Sequence, residues 1–306
     1  VMLSRSEKID IAVDLGGFTK NSRTGIFAMQ AAPVQVNYLG YSGTMAADYM
    51  DYIIADHIII PENKKQHYSE SIAYLPYSYM VTDSKTKKPK IQFTREDAGL
   101  PVNGFVFCCF NQHYKISPAT FMAWMRILIQ VEGSVLWLSE PNSNIISNLK
   151  KEAIKNGVEE SRLIFAPRLA FKEDHLSRLK LADLFIDTLP YNAHTTSSDA
   201  LRMGVPVLTC IGKSFTSRVA ASLLNAVNLP ELITTSKYQY ESLAIKLASN
   251  SEEFRSIKDK LANNLTTAPL FDTQLFTKCL ESAYIEMHDK YCKGIDLDDI
   301  YIEVNK

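Results

Sequence analysis

The chain reads as an α/β protein with two domains, each built on a parallel sheet. Three observations carry that reading. Short apolar runs alternate with helical segments at roughly 20–30-residue spacing, the pattern of parallel strands covered on both faces. The length, 306 residues, suffices for two cores of ordinary size. A polar stretch near residue 85, rich in lysine (Lys85, Lys87, Lys88, Lys90) and without an apolar period, divides the alternation into two series.

In the first series the apolar runs place strands at Ile9–Leu15, Gln35–Leu39, Tyr52–Ala55 and Ser71–Leu75, with short helices between them. This gives an amino-terminal domain over 1–81 and a linker over 82–92. The second series, 93–272, is more regular. Gly104–Phe110 is a continuous apolar strand, followed by the loop Asn111–Ile116. Ser117-Pro118 then supplies a helix cap and a proline at the first helical position, where its missing N–H costs nothing. The helix after it sets Phe121, Met122, Trp124, Met125, Leu128 and Ile129 on a broad core face. Strands follow at Val135–Leu138, Arg162–Phe165, Leu184–Ile186 and Val205–Thr209, separated by helices ending near Gly157, Leu181 and Gly204. Leu275, Phe276, Cys279, Leu280, Tyr284 and Met287 mark an amphipathic helix over 273–291, expected to pack back on the first domain. Residues 292–306 are acidic, a loose tail or an added strand. No internal repeat and no low-complexity segment is present.

Composition narrows the class. Hydrophobic residues make up 46% and charged residues 22%, which is the balance of a folded domain. A net charge of −1 gives no field that would draw the chain to nucleic acid or to an anionic membrane. The five cysteines form no CxxC pair and no zinc spacing. Cys108, Cys109 and Cys210 lie in apolar runs and are expected as buried free thiols, which suits a reducing cytoplasm. No apolar run approaches the roughly eighteen residues that span a bilayer, and no signal peptide is seen. The opening Val-Met-Leu-Ser, entering a strand almost at once, reads as the start of a fragment.

The densest chemistry lies in Asp187-Thr-Leu-Pro-Tyr-Asn-Ala-His-Thr-Thr-Ser-Ser-Asp199, which leads into Ala200-Leu-Arg-Met-Gly204. A strand, a Pro- and Asn-containing loop and a hydroxyl-rich helix start follow one another. The first turn of such a helix offers N–H groups and a partial positive charge, a place to hold phosphate. An N-cap with a plain Ser/Thr run is the alternative reading of the cluster alone. Asp199, one turn in, is placed to accept from sugar hydroxyls. Two further strand-ending loops carry polar chemistry: Asn111-Gln-His-Tyr-Lys115, and Phe171-Lys-Glu-Asp-His175 with Arg178. In a doubly wound sheet all three reach one rim. There Gln112, Lys115, Lys172, His175, Arg178, His194, Thr195, Thr196 and Asp199 could face one ligand. Three cations, hydroxyls, a helix dipole, an imidazole and a carboxylate meet the needs of a nucleoside diphosphate.

Absences sharpen this. No GxGxxG follows a strand and no GxxxxGK[ST] is present, which disfavours dinucleotide oxidoreductases and P-loop enzymes. The one DxD triplet, Asp296-Leu-Asp298, lies in the acidic tail and reads as solvated charge, so no metal and no cofactor is expected. A departing diphosphate would then be stabilised by Lys115 and by the helix start at His194–Thr196, which makes Lys115 and His194 the catalytic candidates.

Ala32-Pro-Val-Gln-Val-Asn-Tyr-Leu-Gly-Tyr-Ser-Gly-Thr44, Met50–Asp56, Phe110–Ile116, Ser134–Leu138, Lys172–His175, Asp187–Thr196 and Ser217–Ser222 resemble the catalytic region of O-GlcNAc transferases. They are similar above all to the bacterial members of that group and to SPINDLY-type enzymes, in glycosyltransferase family 41. The likeness runs from about Ile9 to Tyr291. It implies a GT-B fold of two Rossmann-like domains, the amino-terminal one truncated. It also implies an inverting, metal-independent transfer of a sugar, GlcNAc first, from a nucleotide diphosphate donor to Ser or Thr hydroxyls of proteins. By resemblance, Lys115 would contact the diphosphate and Gln112 a neighbouring phosphate or ribose. Lys172 and Asp199 would hold the ribose, and His175 and Arg178 would pack against the base. His194, Thr195 and Thr196 would hold the diphosphate and sugar, with Tyr114 and the Gly40–Thr44 loop, including Gly43 and Thr44, bordering the sugar. The family carries TPR repeats before this region, so such repeats are expected upstream. Ser42 stands where the animal enzymes have Pro, and Tyr191 where they have a small Cys in the sugar pocket. Alternatives are a nucleotide-sugar-binding fragment without activity and, from another class, a GT-B-type nucleotide-sugar epimerase.

Overall fold

The computed structural model describes residues 1–83, 85 and 91–304, which form two units. The first unit comprises Val1–Val81, Ser214–Thr216 and Asp272–Lys306, the second Thr82–Lys213 and Ser217–Phe271. The lysine-rich segment expected as a linker falls largely on residues 84 and 86–90, outside the described residues. The described residues at its two ends are bonded within the second unit: Thr82 N–H donates to Leu270 O, and Ile91 N–H to Asp174 Oδ1.

The first unit begins with a short helix, α1 (Met2–Ser6), where the sequence had suggested immediate entry into a strand. Four parallel strands follow: β1 (Ile11–Asp14), β2 (Val34–Asn37), β3 (Tyr52–Ala55) and β4 (Ser71–Tyr74). The only α-helix among them is α2 (Gly25–Ala28). Every residue of β2 and β3 is buried; β3 is the continuous apolar run that a covered parallel sheet requires, whereas β2 also buries Gln35 and Asn37. Beyond β1 the chain turns on Gly16 and Gly17, whose N–H groups both bind Asp14 Oδ1 at 2.8 and 2.9 Å. Gly17 has φ +52°, and a Cβ there would lie 2.3 Å from Tyr41 Cβ, so this turn admits no side chain.

The second unit alternates strand and helix until its last two helices. In order it contains β5 (Val106–Cys109), α3 (Pro118–Gln130), β6 (Val135–Ser139), α4 (Ser143–Lys155), β7 (Leu163–Ala166), α5 (Lys172–Leu179) and β8 (Leu184–Ile186). Then come α6 (Thr195–Arg202), β9 (Val207–Cys210), α7 (Val219–Ala226), β10 (Ile233–Thr234), α8 (Lys237–Ser249) and α9 (Ser251–Asn264). The sheet order is β10-β9-β8-β5-β6-β7, all parallel. Winding therefore starts at β5, runs outward through β6 and β7, then returns to β5's other side for β8.

Local signals explain the helix ends. Ser117 Oγ caps α3 by accepting from Thr120 N–H at 3.2 Å, with Pro118 at the first position. Within α3, Phe121, Trp124, Met125 and Leu128 are buried as expected, but Met122 and Ile129 are exposed. These two lie seven residues apart, about two helical turns, and so share the face turned away from the sheet. The segment at Lys172–His175, expected as a loop, is the first turn of α5. It lacks Gly and Pro, and Glu173 and Asp174 complement the helix dipole there.

The chain closes the first unit with α10 (Thr273–Cys292), whose buried face includes Cys279, Ala283 and Met287, and with β11 (Ile300–Tyr301). β11 adds in parallel to β4, giving the order β1-β2-β3-β4-β11. Of the two readings of the tail, an added strand holds for these residues. Its buried anchor is Ile300, and Lys65 ties it down by pairing with Asp299 at 2.7 Å and Glu62 at 2.6 Å. No helix among the described residues is long and apolar enough to cross a membrane.

One buried polar chain crosses the second unit: Trp124 Nε1 donates to Tyr240 Oη at 3.0 Å, and Tyr240 Oη donates to Asp187 O at 2.9 Å. Tyr240→Phe leaves the indole N–H and that carbonyl without partners, so it is expected to lower unfolding free energy by about 2 kcal/mol. Urea denaturation monitored by tryptophan fluorescence checks this.

Candidate functional site

The strand order of the second unit reverses at β5 and β8, and ligands of doubly wound sheets bind beyond the carboxyl ends of the strands at such a point. Asn111 and Asp187 stand just past those two ends. Both are buried, and together they organise what surrounds them. Asn111 Nδ2 donates to Thr188 Oγ1 at 2.7 Å, and Thr188 Oγ1 in turn donates to Tyr191 O at 2.6 Å. Asn111 Oδ1 accepts from Thr196 Oγ1 at 2.5 Å. One side chain thus ties the loop after β5 to the loop after β8 and to the start of α6. Asp187 Oδ1 accepts from Thr188 N–H and Ala193 N–H at 2.8 and 2.6 Å, and Oδ2 from Thr209 Oγ1 at 2.7 Å.

Lys115 leaves the turn His113–Lys115 after β5 and donates from Nζ to Asn192 O at 2.9 Å. The ring of Tyr191 lies 3.8 Å from the same Nζ, a close cation–π contact, and 5.3 Å from the ring of His194. Tyr191 therefore faces Lys115 and does not turn away from it. Burial holds the Lys115 ammonium below the ordinary lysine range, while Asp187 and Cys109 oppose that shift. His194 is the N-cap of α6, with Thr195 exposed and Thr196 half-buried in the first turn.

A second group lies along α5. His175 and Arg178 pack on Phe110, the ring of His175 at 5.5 Å and the Arg178 guanidinium carbon at 5.5 Å from its centroid. Arg178 Nη2 meets His175 Nδ1 at 3.0 Å. Burial, then Arg178 and Lys172, push the His175 imidazole down to about 4. Lys172 Nζ lies 3.8 Å from Asp199 Oδ1, joining the start of α5 to α6. Burial raises the Asp199 carboxyl, and Lys172 and Arg202 oppose it.

Of the expected site residues, Lys115, Tyr191, His194, Thr195 and Thr196 gather around the β5–β8 crevice. Lys172 and Asp199 pair beside them, and His175 with Arg178 forms the flank on Phe110. Gln112 and Tyr114 share the Lys115 loop and are exposed. Gly43 and Thr44 belong to the first unit. There Gly43 O accepts from Asn37 Nδ2 at 2.9 Å, and Thr44 Oγ1 donates to the buried carboxylate of Glu70. The sequence reading gave no role to Asn111 or Asp187. Their signal was a polar residue directly at the end of an apolar strand, where a buried side chain must find partners. Among the described residues no group of three or more His, Cys, Asp or Glu could hold a metal ion. In the Asp296–Asp298 triplet, Asp298 pairs with Lys290.

Two Rossmann-like α/β lobes with parallel sheets are the architecture of GT-B glycosyltransferases. The chain belongs to Glycosyl transferase family 41, whose sequence profile it matches over residues 3–93 and 85–280. Among curated proteins it is 38% identical over 294 residues to the probable UDP-N-acetylglucosamine–peptide N-acetylglucosaminyltransferase SEC of Arabidopsis thaliana, a match over 94% of this chain and 30% of that protein. It is 27% identical to the UDP-N-acetylglucosamine–peptide N-acetylglucosaminyltransferase of Caenorhabditis elegans, over 95% of this chain and 35% of that one. The chain thus spans about a third of these relatives' length. Among solved structures, a mutant O-GlcNAc transferase of Thermobaculum terrenum superposes with a TM-score of 0.85 at 28% identity, covering 96% of this chain and 55% of that one. Anabaena HepE, solved with UDP and glucose, shares the fold at a TM-score of 0.61 and 14% identity, over 92% of this chain and 80% of that one.

The environment of His175 has a measurable consequence. A folded-state value near 4, below the ordinary 6.5, means that the unfolded chain binds more protons between those limits. Its contribution to stability is therefore intact above pH 6.5 and is lost as pH falls toward 4. His175→Gln should flatten that part of the stability–pH curve, measured as urea midpoints from pH 7 to 4.5. A slope unchanged by the substitution would show that His175 is not the group responsible.

Proposed function

We propose that this chain binds a nucleoside diphosphate sugar in the second unit and transfers the sugar, GlcNAc first, to Ser or Thr hydroxyls of proteins. The observation that carries the reading is the convergence on the β5–β8 crevice of Lys115, the His194–Thr196 helix start and the Lys172–Asp199 pair. In this reading the diphosphate lies against Lys115 and the N-terminal turn of α6, where fixed N–H dipoles and an ammonium meet the charge that grows on the leaving group. Lys172 and Asp199 hold the ribose, and His175 and Arg178, backed by Phe110, flank the base. Uridine is favoured by the likeness of Lys172–His175 to O-GlcNAc transferases, and the relatives named for UDP-N-acetylglucosamine support the same donor. The acceptor oxygen attacks the anomeric carbon opposite the departing diphosphate and inverts it. The leaving charge is met by side chains and backbone N–H groups, so the reaction needs no metal. The acceptor is a protein hydroxyl, and TPR repeats upstream would present it. The reading places the protein in the cytoplasm, with neither nucleic acid nor membrane as a partner.

Lys115→Ala should remove about 2–4 kcal/mol of transition-state stabilisation and weaken UDP binding by less. Calorimetric titration of UDP in excess EDTA, with sugar-transfer assays of both proteins, measures each part. Unchanged UDP affinity and unchanged turnover would remove Lys115 from the site, and loss of wild-type binding in EDTA would overturn metal independence.

Tyr191 bears on the sugar. Its ring occupies space beside Lys115 and His194 that a small Cys would leave open, and extra bulk in a packed site costs about 1–3 kcal/mol. The protein should therefore favour UDP-GlcNAc over UDP-glucose less than a Tyr191→Cys variant does. Competition of the two sugar nucleotides on both proteins decides it. An unchanged affinity ratio would mean that Tyr191 does not gate the sugar.

A further inference from the structure

Asp187 is a fully buried carboxylate that no step above uses. Its two oxygens collect three donors, and two of these, Thr188 N–H and Ala193 N–H, bracket the loop that carries Tyr191 and Asn192. Asn192 O is the acceptor for Lys115 Nζ, and the Tyr191 ring covers that nitrogen. The position of the ammonium is thus set by a loop pinned at both ends to one carboxylate. The two groups also attract each other through a poorly solvated interior.

We propose that Asp187 is the positioning residue of the donor site, and that seating a diphosphate on Lys115 is coupled to uptake of one proton by the Asp187 carboxylate. This rests on the reading of the site as a donor pocket. The coupling follows from charge. An anion on Lys115 is a like charge to Asp187 through the same poorly solvated interior, and it takes over the ammonium that had stabilised the carboxylate. Both effects favour the neutral carboxyl. By reciprocity, protonating Asp187 strengthens anion binding, because Lys115 no longer shares its charge.

The surroundings leave Asp187 poised for this. Burial pushes its carboxyl up to about 7, against the three hydrogen bonds and Lys115. The other groups facing it are Cys109 on β5, Cys210 on β9 and Tyr240 on α8, with Lys115 on the ligand side. Burial raises Cys109, Cys210 and Tyr240, so these stay neutral near pH 7.

The test is calorimetric titration of UDP at pH 7–9, in buffers of different ionisation enthalpy. Over this range the phosphate's second ionisation, near 6, is largely complete. The wild type should take up a proton on binding, and its affinity should fall with rising pH by up to tenfold per unit, the limit for one linked proton. Asp187→Asn should show neither the uptake nor the fall at neutral pH. Lys115→Arg, whose guanidinium does not titrate, should keep the uptake even with weaker binding. Thr209→Val removes one hydrogen bond from the carboxylate, so the fall in affinity should move to higher pH. This variant carries the test if Asp187→Asn does not fold. Uptake that persists in Asp187→Asn, uptake that vanishes in Lys115→Arg, or an unmoved pH curve in Thr209→Val would each overturn the proposal while leaving the donor site standing. Failure of the wild type to bind UDP would overturn the functional reading itself.

Discussion

Reversal of the winding between β5 and β8 is the constraint on which the rest of the second unit depends. Two neighbouring parallel strands whose continuations leave toward opposite faces cannot cover their own carboxyl ends, so a crevice opens there. Chain entering that crevice carries backbone groups that must be satisfied away from water. Asp187 meets that need for Thr188 N–H and Ala193 N–H, and Asn111 holds the hydroxyls of Thr188 and Thr196. Each stands just past one of the strands, and between them they bond Thr188, Ala193, Thr196 and Thr209, with Thr188 Oγ1 in turn holding Tyr191 O. The exposed chemistry sits on this buried layer, which fixes where Lys115 and the start of α6 can be.

The charges of this region are met by fixed partners. Lys115 is met by Asn192 O and the Tyr191 ring, Lys172 by Asp199, and Arg178 by Pro167 O and the face of Phe110. In the proposed reading an anion exchanges these contacts, so its affinity is a difference between two well-bonded states. Burial makes that exchange favourable. A half-buried ammonium whose charged form is disfavoured gains more from an anion than a solvated one does. The neutral His175 imidazole on the flank adds a flat surface without adding charge.

Much of the fold could be read from residues alone, for reasons visible in particular elements. Tyr52–Ala55 and Leu184–Ile186 are strands with the boundaries expected, because short runs buried on both faces carry no competing period. Ser117-Pro118 marks its helix because cap and proline act within one turn. The outward turn of Met122 and Ile129 was not legible, since apolar residues on the exposed face of a helix look like core until the neighbouring layer is known. Helices α8 and α9 were unplaced, their polar faces breaking up the apolar signal. In the site, charged and hydroxyl residues on strand-ending segments stood out as chemistry. Asn111 and Asp187 did not, because their importance lies in which groups they reach, and those partners are 77 and 85 residues away for Asn111 and up to 22 for Asp187.

Division of labour between the units follows from the same geometry. Every group proposed to grip the nucleotide belongs to the second unit, and the network that holds these groups closes within it. The hydroxyl of Thr44, in the first unit, is committed to Glu70, which also accepts from Met45 N–H at 2.6 Å. That loop is therefore shaped by its own buried carboxylate, independently of Asp187. Two separately buried acids, one per unit, each set the form of one loop. Nucleotide affinity then reports on the Asp187 network, whereas a change at Glu70 is felt in the Gly43–Thr44 loop. The two sets of interactions can therefore be perturbed one at a time.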